Sequence, residues 1–251
     1  MVGMQRLFFR HFFTLKNLSM IFLIFLAIVA SVDFKYQSDL SATYQILMQG
    51  LSFEALKFDD IIRVLMSYLG FCYLFTKIIS FNRTAYVFLV LSRLKNYFGY
   101  FNARLVFALI LSVIYWLLYL IVIGSYLVIF HNNELIELQS ILFSTLTLYF
   151  YLMSILSCLT LALMYIIIQI ILKDDGAALT FLIIYIVINL TVGNQTILWI
   201  NTGLIQLART TVISDNQINL NISIGYLVSQ NIIVYSVISL ILTRGTKRWK
   251  K

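Results

Sequence analysis

The sequence predicts an all-α integral membrane protein: six transmembrane helices behind an N-terminal amphipathic interfacial helix, with both termini cytoplasmic. Three observations carry this prediction. Of 251 residues, 61% are hydrophobic and 11% charged, at a mean hydropathy of +0.94, which is more apolar surface than a soluble fold of this size hides. Proline is absent while Ile, Leu, Phe and Tyr abound, so helices apolar all round meet no breaker and no soluble domain is visible. The 18 Lys and Arg residues sit at the ends of apolar runs, so the net charge of +8 belongs to headgroups and topology rather than to nucleic acid.

Residues 1–17 read as a helix lying along the cytoplasmic leaflet. At about 100° per residue, Arg6, Arg10, Thr14 and Asn17 share one side, and Leu7, Phe8, Phe12 and Leu15 the other. No small-residue cleavage pattern follows, so the segment is expected to remain in the mature protein. The first span, 18–32, falls short of the roughly twenty residues a crossing takes and draws on Phe12 to Lys16 or on local bilayer thinning. Asp33 to Asp60 carries five acids (Asp33, Asp39, Glu54, Asp59, Asp60) against two lysines, the composition of an outer loop. Within it, Tyr44 to Leu56 has the pattern of an outer-leaflet surface helix. The second span, 61–80, has Arg63 near its outer end and Lys77 near its inner end, both placed to snorkel to headgroups.

The segment Lys77 to Arg104 holds five cations and no acid, around the apolar block Ala85 to Leu91 and the run Arg93-Leu94-Lys95-Asn96-Tyr97-Phe98. That bias predicts a cytoplasmic loop, and its aromatic content predicts a docking surface. A third span follows at 105–130, then a short outer connection with Glu134 and Glu137. No charge appears over the 35 residues between Glu137 and Lys173. Two crossings and a turn need more residues than that, so one long fourth helix, about 140–172, is expected, with an irregular outer portion and a bend at Ser154 and Ser157. Lys173-Asp174-Asp175-Gly176 is a tight inner turn before a fifth span, 177–192. The mixed stretch 193–221 suggests an outer-leaflet or re-entrant segment. The sixth span, 222–243, leads into a basic cytoplasmic tail, 244–251. This arrangement places 14 cations inside and four outside, Lys35, Lys57, Arg63 and Arg209.

Chemistry is sparse. His11 and His131 are expected on opposite sides of the membrane, so no metal or acid/base site joins them. No zinc, nucleophile-elbow or phosphate-loop motif occurs, and the middles of the predicted spans hold no acid; a non-catalytic chain that binds neither metal nor cofactor is expected. Cys72 and Cys158 lie in predicted spans and read as buried packing thiols. Asn189, Ser229, Gln230, Asn231 and Ser236 read as interhelical hydrogen-bonding groups before they read as a substrate path.

Taken over its whole length, the chain resembles the permease subunits of type 2 ABC exporters, in particular small six-span permeases associated with bacteriocin or lantibiotic immunity and peptide export. The amphipathic N-terminal segment (Arg6, Phe8, Arg10, Phe12), the six spans, the large first outer loop and the basic tail carry the likeness. So does Ser92-Arg93-Leu94-Lys95-Asn96-Tyr97-Phe98, in the loop through which such permeases contact their ATPase. The resemblance implies a multi-pass subunit of a bacterial plasma membrane, homodimeric or heterodimeric, working with two copies of a separate ABC ATPase. ATP and Mg would bind that partner and not this chain. Arg83, Arg93, Leu94, Lys95, Asn96, Tyr97 and Phe98 would form the ATPase-coupling surface. The alternative is a membrane immunity or accessory protein that binds a toxin or partner without an ATPase.

Overall fold

A computed structural model describes residues 14–35, 47, 58–81, 97–130, 144–172, 174–192 and 220–248. Six helices account for nearly all of them: α1 (Leu15–Lys35), α2 (Phe58–Phe81), α3 (Tyr97–Phe130), α4 (Thr145–Leu172), α5 (Asp175–Val192) and α6 (Leu220–Arg248). No strand occurs among the described residues. Five helices are long and apolar enough to cross a bilayer, over Lys16–Asp33, Ile62–Ile79, Phe101–Phe130, Thr147–Leu172 and Ile224–Leu242, and α5 adds a shorter apolar stretch, Asp175–Val187. The architecture is that of an all-α, multi-pass membrane protein. Its outer faces agree: Leu23, Ile129, Ile171 and Ile232 are all at least 60% exposed. Such rows are a liability in water and the solvated surface in lipid.

Contacts at the helix ends give the directions. Lys77, late in α2, meets Asn17, early in α1. Tyr126, late in α3, meets Asp33, late in α1. Arg104, early in α3, meets Gln169, late in α4. The helices therefore alternate, and the starts of α1, α3 and α5 gather with the ends of α2 and α4. The spans of α2 and α4 are 67% and 61% buried, those of α1 and α6 only 33% and 28%, so α2 and α4 form the centre and α1 and α6 the flanks. α4 packs against α2, α3, α5 and α6.

Lipid is as apolar as leucine, so apolar burial does little to choose which helix face turns inward. Aromatic geometry and hydrogen bonds make the choice instead. Phe25, Tyr68, Phe71, Phe75, Phe107, Tyr115, Trp116, Phe150 and Tyr165 are all under 2% exposed. Tyr115 stands edge-on to Phe25 and to Trp116, at 4.9 and 5.8 Å between ring centroids, and Trp116 stands edge-on to Phe150 at 5.5 Å. Each such pair contributes about 0.5–1.5 kcal/mol beyond burial. Tyr115 donates to the Ser67 carbonyl at 2.7 Å, and Trp116 Nε1 donates to Cys158 Sγ at 3.1 Å. Cys72 and Cys158 are both free and buried.

Several expectations change. The interfacial segment was placed over 1–17, but α1 already begins at Leu15, and Asn17 is buried instead of facing water. Arg63, placed to snorkel, is 8% exposed and turned into the bundle. Of the stretch Tyr44 to Leu56 only Leu47 is described; it is helical and 3% exposed, and its carbonyl accepts from Tyr119 at 3.3 Å. α4 begins at Thr145, later than the expected 140, because Ser144 caps it: the Thr147 N–H donates to Ser144 Oγ at 3.3 Å. α4 then runs unbroken through Ser154 and Ser157, and Ser157 donates back to the Met153 carbonyl. α6 continues past the expected end of the span, 243, to Arg248.

The polar groups of α6 divide. Asn231 is 7% exposed; its amide donates to the Leu156 carbonyl of α4 at 3.2 Å, and its oxygen accepts from Thr160 at 3.2 Å. Ser229 and Ser236 bond only within their own helix. Gln230 is buried, and the Asn189 side chain lies outside the described residues. Asn231→Leu is expected to loosen α6 from α4 by about 1 kcal/mol, read as a lower unfolding midpoint in detergent.

Candidate functional site

The polar chemistry of the described bundle concentrates at the end where α2 finishes and α3 starts, the two feet of the basic segment. At the α2 foot, Lys77 Nζ donates to Asn17 Oδ1 at 3.1 Å and stands 5.6 Å from the centre of the Tyr73 ring. An ammonium over a tyrosine face with a neutral acceptor needs no acid nearby.

At the α3 foot the helix opens at Tyr97, eight residues before the expected start of the span at 105. Tyr97 to Arg104 is therefore helix where a loop was expected. Its inner face packs. Phe101, 3% exposed, stacks on Tyr235 of α6 at 5.6 Å, and the Tyr235 hydroxyl donates to Asn102 at 3.2 Å. Arg104, expected in the exposed loop, is 7% exposed and donates to Gln169 Oε1 at 2.8 Å. Gln169, 6% exposed, passes the polarity on: its amide nitrogen donates to Asp175 Oδ1, which also accepts from the Tyr165 hydroxyl at 3.0 Å.

Only one orientation of the Gln169 amide serves both neighbours, because a guanidinium has donors alone and an ionised carboxylate acceptors alone. Helix ends favour the same charges. Arg104 lies by the last turn of α4, where carbonyls carry partial negative charge, and Asp175 is in the first turn of α5. Asp174 caps that helix by accepting the Gly176 N–H at 2.8 Å. A buried cation, Arg104, and a half-buried anion, Asp175, joined through a buried neutral amide, thus tie α3 to the α4–α5 hairpin.

Of the predicted coupling residues, Arg83, Arg93, Leu94, Lys95 and Asn96 lie outside the described residues, as do Arg6, Phe8, Arg10 and Phe12 of the interfacial helix. Tyr97 opens α3, and Phe98, next to it, is half-buried. Two of the five cations of the basic segment, Lys77 and Arg104, are bonded within the bundle, and the other three, Arg83, Arg93 and Lys95, lie outside the described residues. Tyr165 and Gln169 escaped the sequence reading. Their spacing of four on one helix, level with Asp175 across a two-residue turn, is the signal that points to them.

Among the described residues no three His, Cys, Asp or Glu side chains converge as a metal site. On the flank, an apolar groove of about 310 Å³ runs between Leu18, Phe22 and Phe25 of α1 and Leu118 and Val122 of α3, with no charged side chain in its lining. Comparison of the chain with protein-family models, with curated proteins and with solved structures gives no match.

Proposed function

We propose that this chain is the transmembrane subunit of an ABC transporter, with six spans and both termini cytoplasmic in a bacterial plasma membrane. It pairs with a second permease and two copies of a separate ATPase, and it exports an amphipathic peptide, antimicrobial or lipid-like cargo. One observation carries the reading. The basic segment between α2 and α3 is held at both feet by polar ties, half-buried Lys77 to buried Asn17 and buried Arg104 to buried Gln169. A loop that only sets orientation needs charge and no such anchorage; a loop that receives force needs both. Apolar walls without fixed charge, as in the α1–α3 groove, favour a cargo with a large apolar surface.

Affinity purification of the tagged chain from its own membrane tests this. An ABC ATPase is expected to co-purify in stoichiometric amount, with ATP hydrolysis in the eluate. A chain that purifies alone and still protects cells against an antimicrobial would instead be an accessory or immunity protein, and the permease reading would fall.

A further inference from the structure

The Arg104–Gln169–Asp175 tie has a property that a simple structural pin lacks. It joins the foot of the helix that carries the basic segment to a hairpin far along the chain, and it does so through a single neutral amide. Arg104 and Gln169 are 65 residues apart in sequence, and Gln169 and Asp175 sit on either side of the α4–α5 turn. All three elements end within this one cluster. Phe101 and Asn102 of the α3 foot meet Tyr235 of α6 instead.

We infer that Gln169 is a positioning residue: it sets the angle and height at which the α3 foot, and with it the basic segment, stands against the α4–α5 hairpin. Its amide reads charge on both sides. A carboxylamide presents an acceptor to Arg104 and a donor to Asp175, so the foot seats in one register only when the cation, the amide and the anion are all in place. That this register serves an ATPase rests on the function proposed above; the register itself does not.

Charge logic makes the inference separable from a loss of packing. Gln169→Glu keeps the acceptor for Arg104 but sets a second carboxylate against Asp175, and like charges at this distance repel. Adding Asp175→Asn restores a donor opposite the new acceptor. The double variant is therefore expected to recover what Gln169→Glu loses, a non-additivity that residues acting independently do not show. Gln169→Leu removes both hydrogen bonds with little change in volume.

The test is a pair of spin-label distances in the full-length chain. Labels at Gly99→Cys and Thr180→Cys span the tie; a side chain at 99 meets nothing within 4 Å, and Thr180 is exposed. Labels at Leu23→Cys and Ile121→Cys, 62% and 55% exposed on α1 and α3, report on a part of the bundle away from it. Cys72 and Cys158 are buried and leave the label to the introduced thiols. In Gln169→Leu and Gln169→Glu the 99–180 distance is expected to shift or broaden by more than about 2 Å, the scale of helix movements in switching bundles. The 23–121 distance is expected to hold, and the Gln169→Glu, Asp175→Asn chain to regain the parent 99–180 distribution.

An unchanged 99–180 distance in both single variants would overturn the inference, and so would equal broadening of both label pairs, which marks general unfolding. Should Gln169→Leu not accumulate in the membrane, Gln169→Glu and its rescue decide alone; failure of the rescue counts against the inference. Absence of a co-purifying ATPase from the parent chain would remove the proposed function and leave these distances to judge the tie.

Discussion

Gly70→Ala is expected to destabilise the bundle by about 2 kcal/mol, within the range for overpacking a close-packed interior. A Cβ at position 70 falls 2.6 Å from the Tyr115 hydroxyl, closer than any carbon tolerates. The tyrosine has no easy retreat. Its hydroxyl donates to the Ser67 carbonyl at 2.7 Å, and its ring stands between Phe25 and Phe71, at 4.9 and 5.7 Å between centroids. α2 and α3 must therefore part, or Tyr115 must leave its rotamer. Tyr115→Phe supplies the control: without the hydroxyl, the nearest ring atom, Cζ, stands 3.7 Å from the new methyl, an ordinary contact. Alone it costs about 1 kcal/mol for the lost hydrogen bond; combined with Gly70→Ala it is expected to be more stable than Gly70→Ala itself. Unfolding midpoints in a graded detergent series measure all three. If Gly70→Ala unfolds with the parent protein, the close approach of α2 and α3 is wrong.

On the proposed function, Arg93→Glu combined with Lys95→Glu is expected to abolish co-purification of an ABC ATPase with the chain. Between residues 82 and 96 the cations are Arg83, Arg93 and Lys95 and there is no acid, so two reversals take the segment from +3 to −1. Interface centres built on arginine beside aromatics lose about 2 kcal/mol per truncated residue, so two together weaken association on the order of several hundredfold. Lys77 and Arg104, the cations that anchor the feet, are untouched. Helix content by circular dichroism and the thermal midpoint are therefore expected to match the parent protein, while co-purified ATPase and cargo export are lost. Retention of the ATPase in full amount by the doubly reversed chain would sink the coupling role of this segment.

Much of the architecture was legible before any coordinates. A crossing helix is recognised by length and hydropathy, both properties of composition along the chain, and the absence of proline left nothing to interrupt the runs. The expected spans at 18–32, 61–80, 105–130 and 222–243 accordingly lie wholly within α1, α2, α3 and α6. The site was less legible. Asn102 and Arg104 lower the local hydropathy enough to read as loop, but a helix accommodates them once partners exist: Tyr235 for Asn102, and Gln169 for Arg104. Those partners lie more than sixty residues away, beyond the reach of any local window.

Arg63 shows the same limit from the other direction. Position near a helix end predicts snorkelling, yet the side chain is only 8% exposed. Asn17 likewise fits the polar face of an interfacial helix by periodicity, and becomes an acceptor for Lys77 only because α1 and α2 run side by side.

By itself the sequence determined that this chain is an all-helical, multi-pass membrane protein, where most of its helices lie, and that a basic segment free of acids joins the second and third of them. The tertiary structure alone decided which faces turn inward, and which of the segment's cations stay within the bundle. The reason is physical. In a bilayer both faces of an apolar helix are equally content with lipid, so the inner face is chosen by long-range pairs such as Tyr115 with Ser67, Trp116 with Cys158 and Arg104 with Gln169.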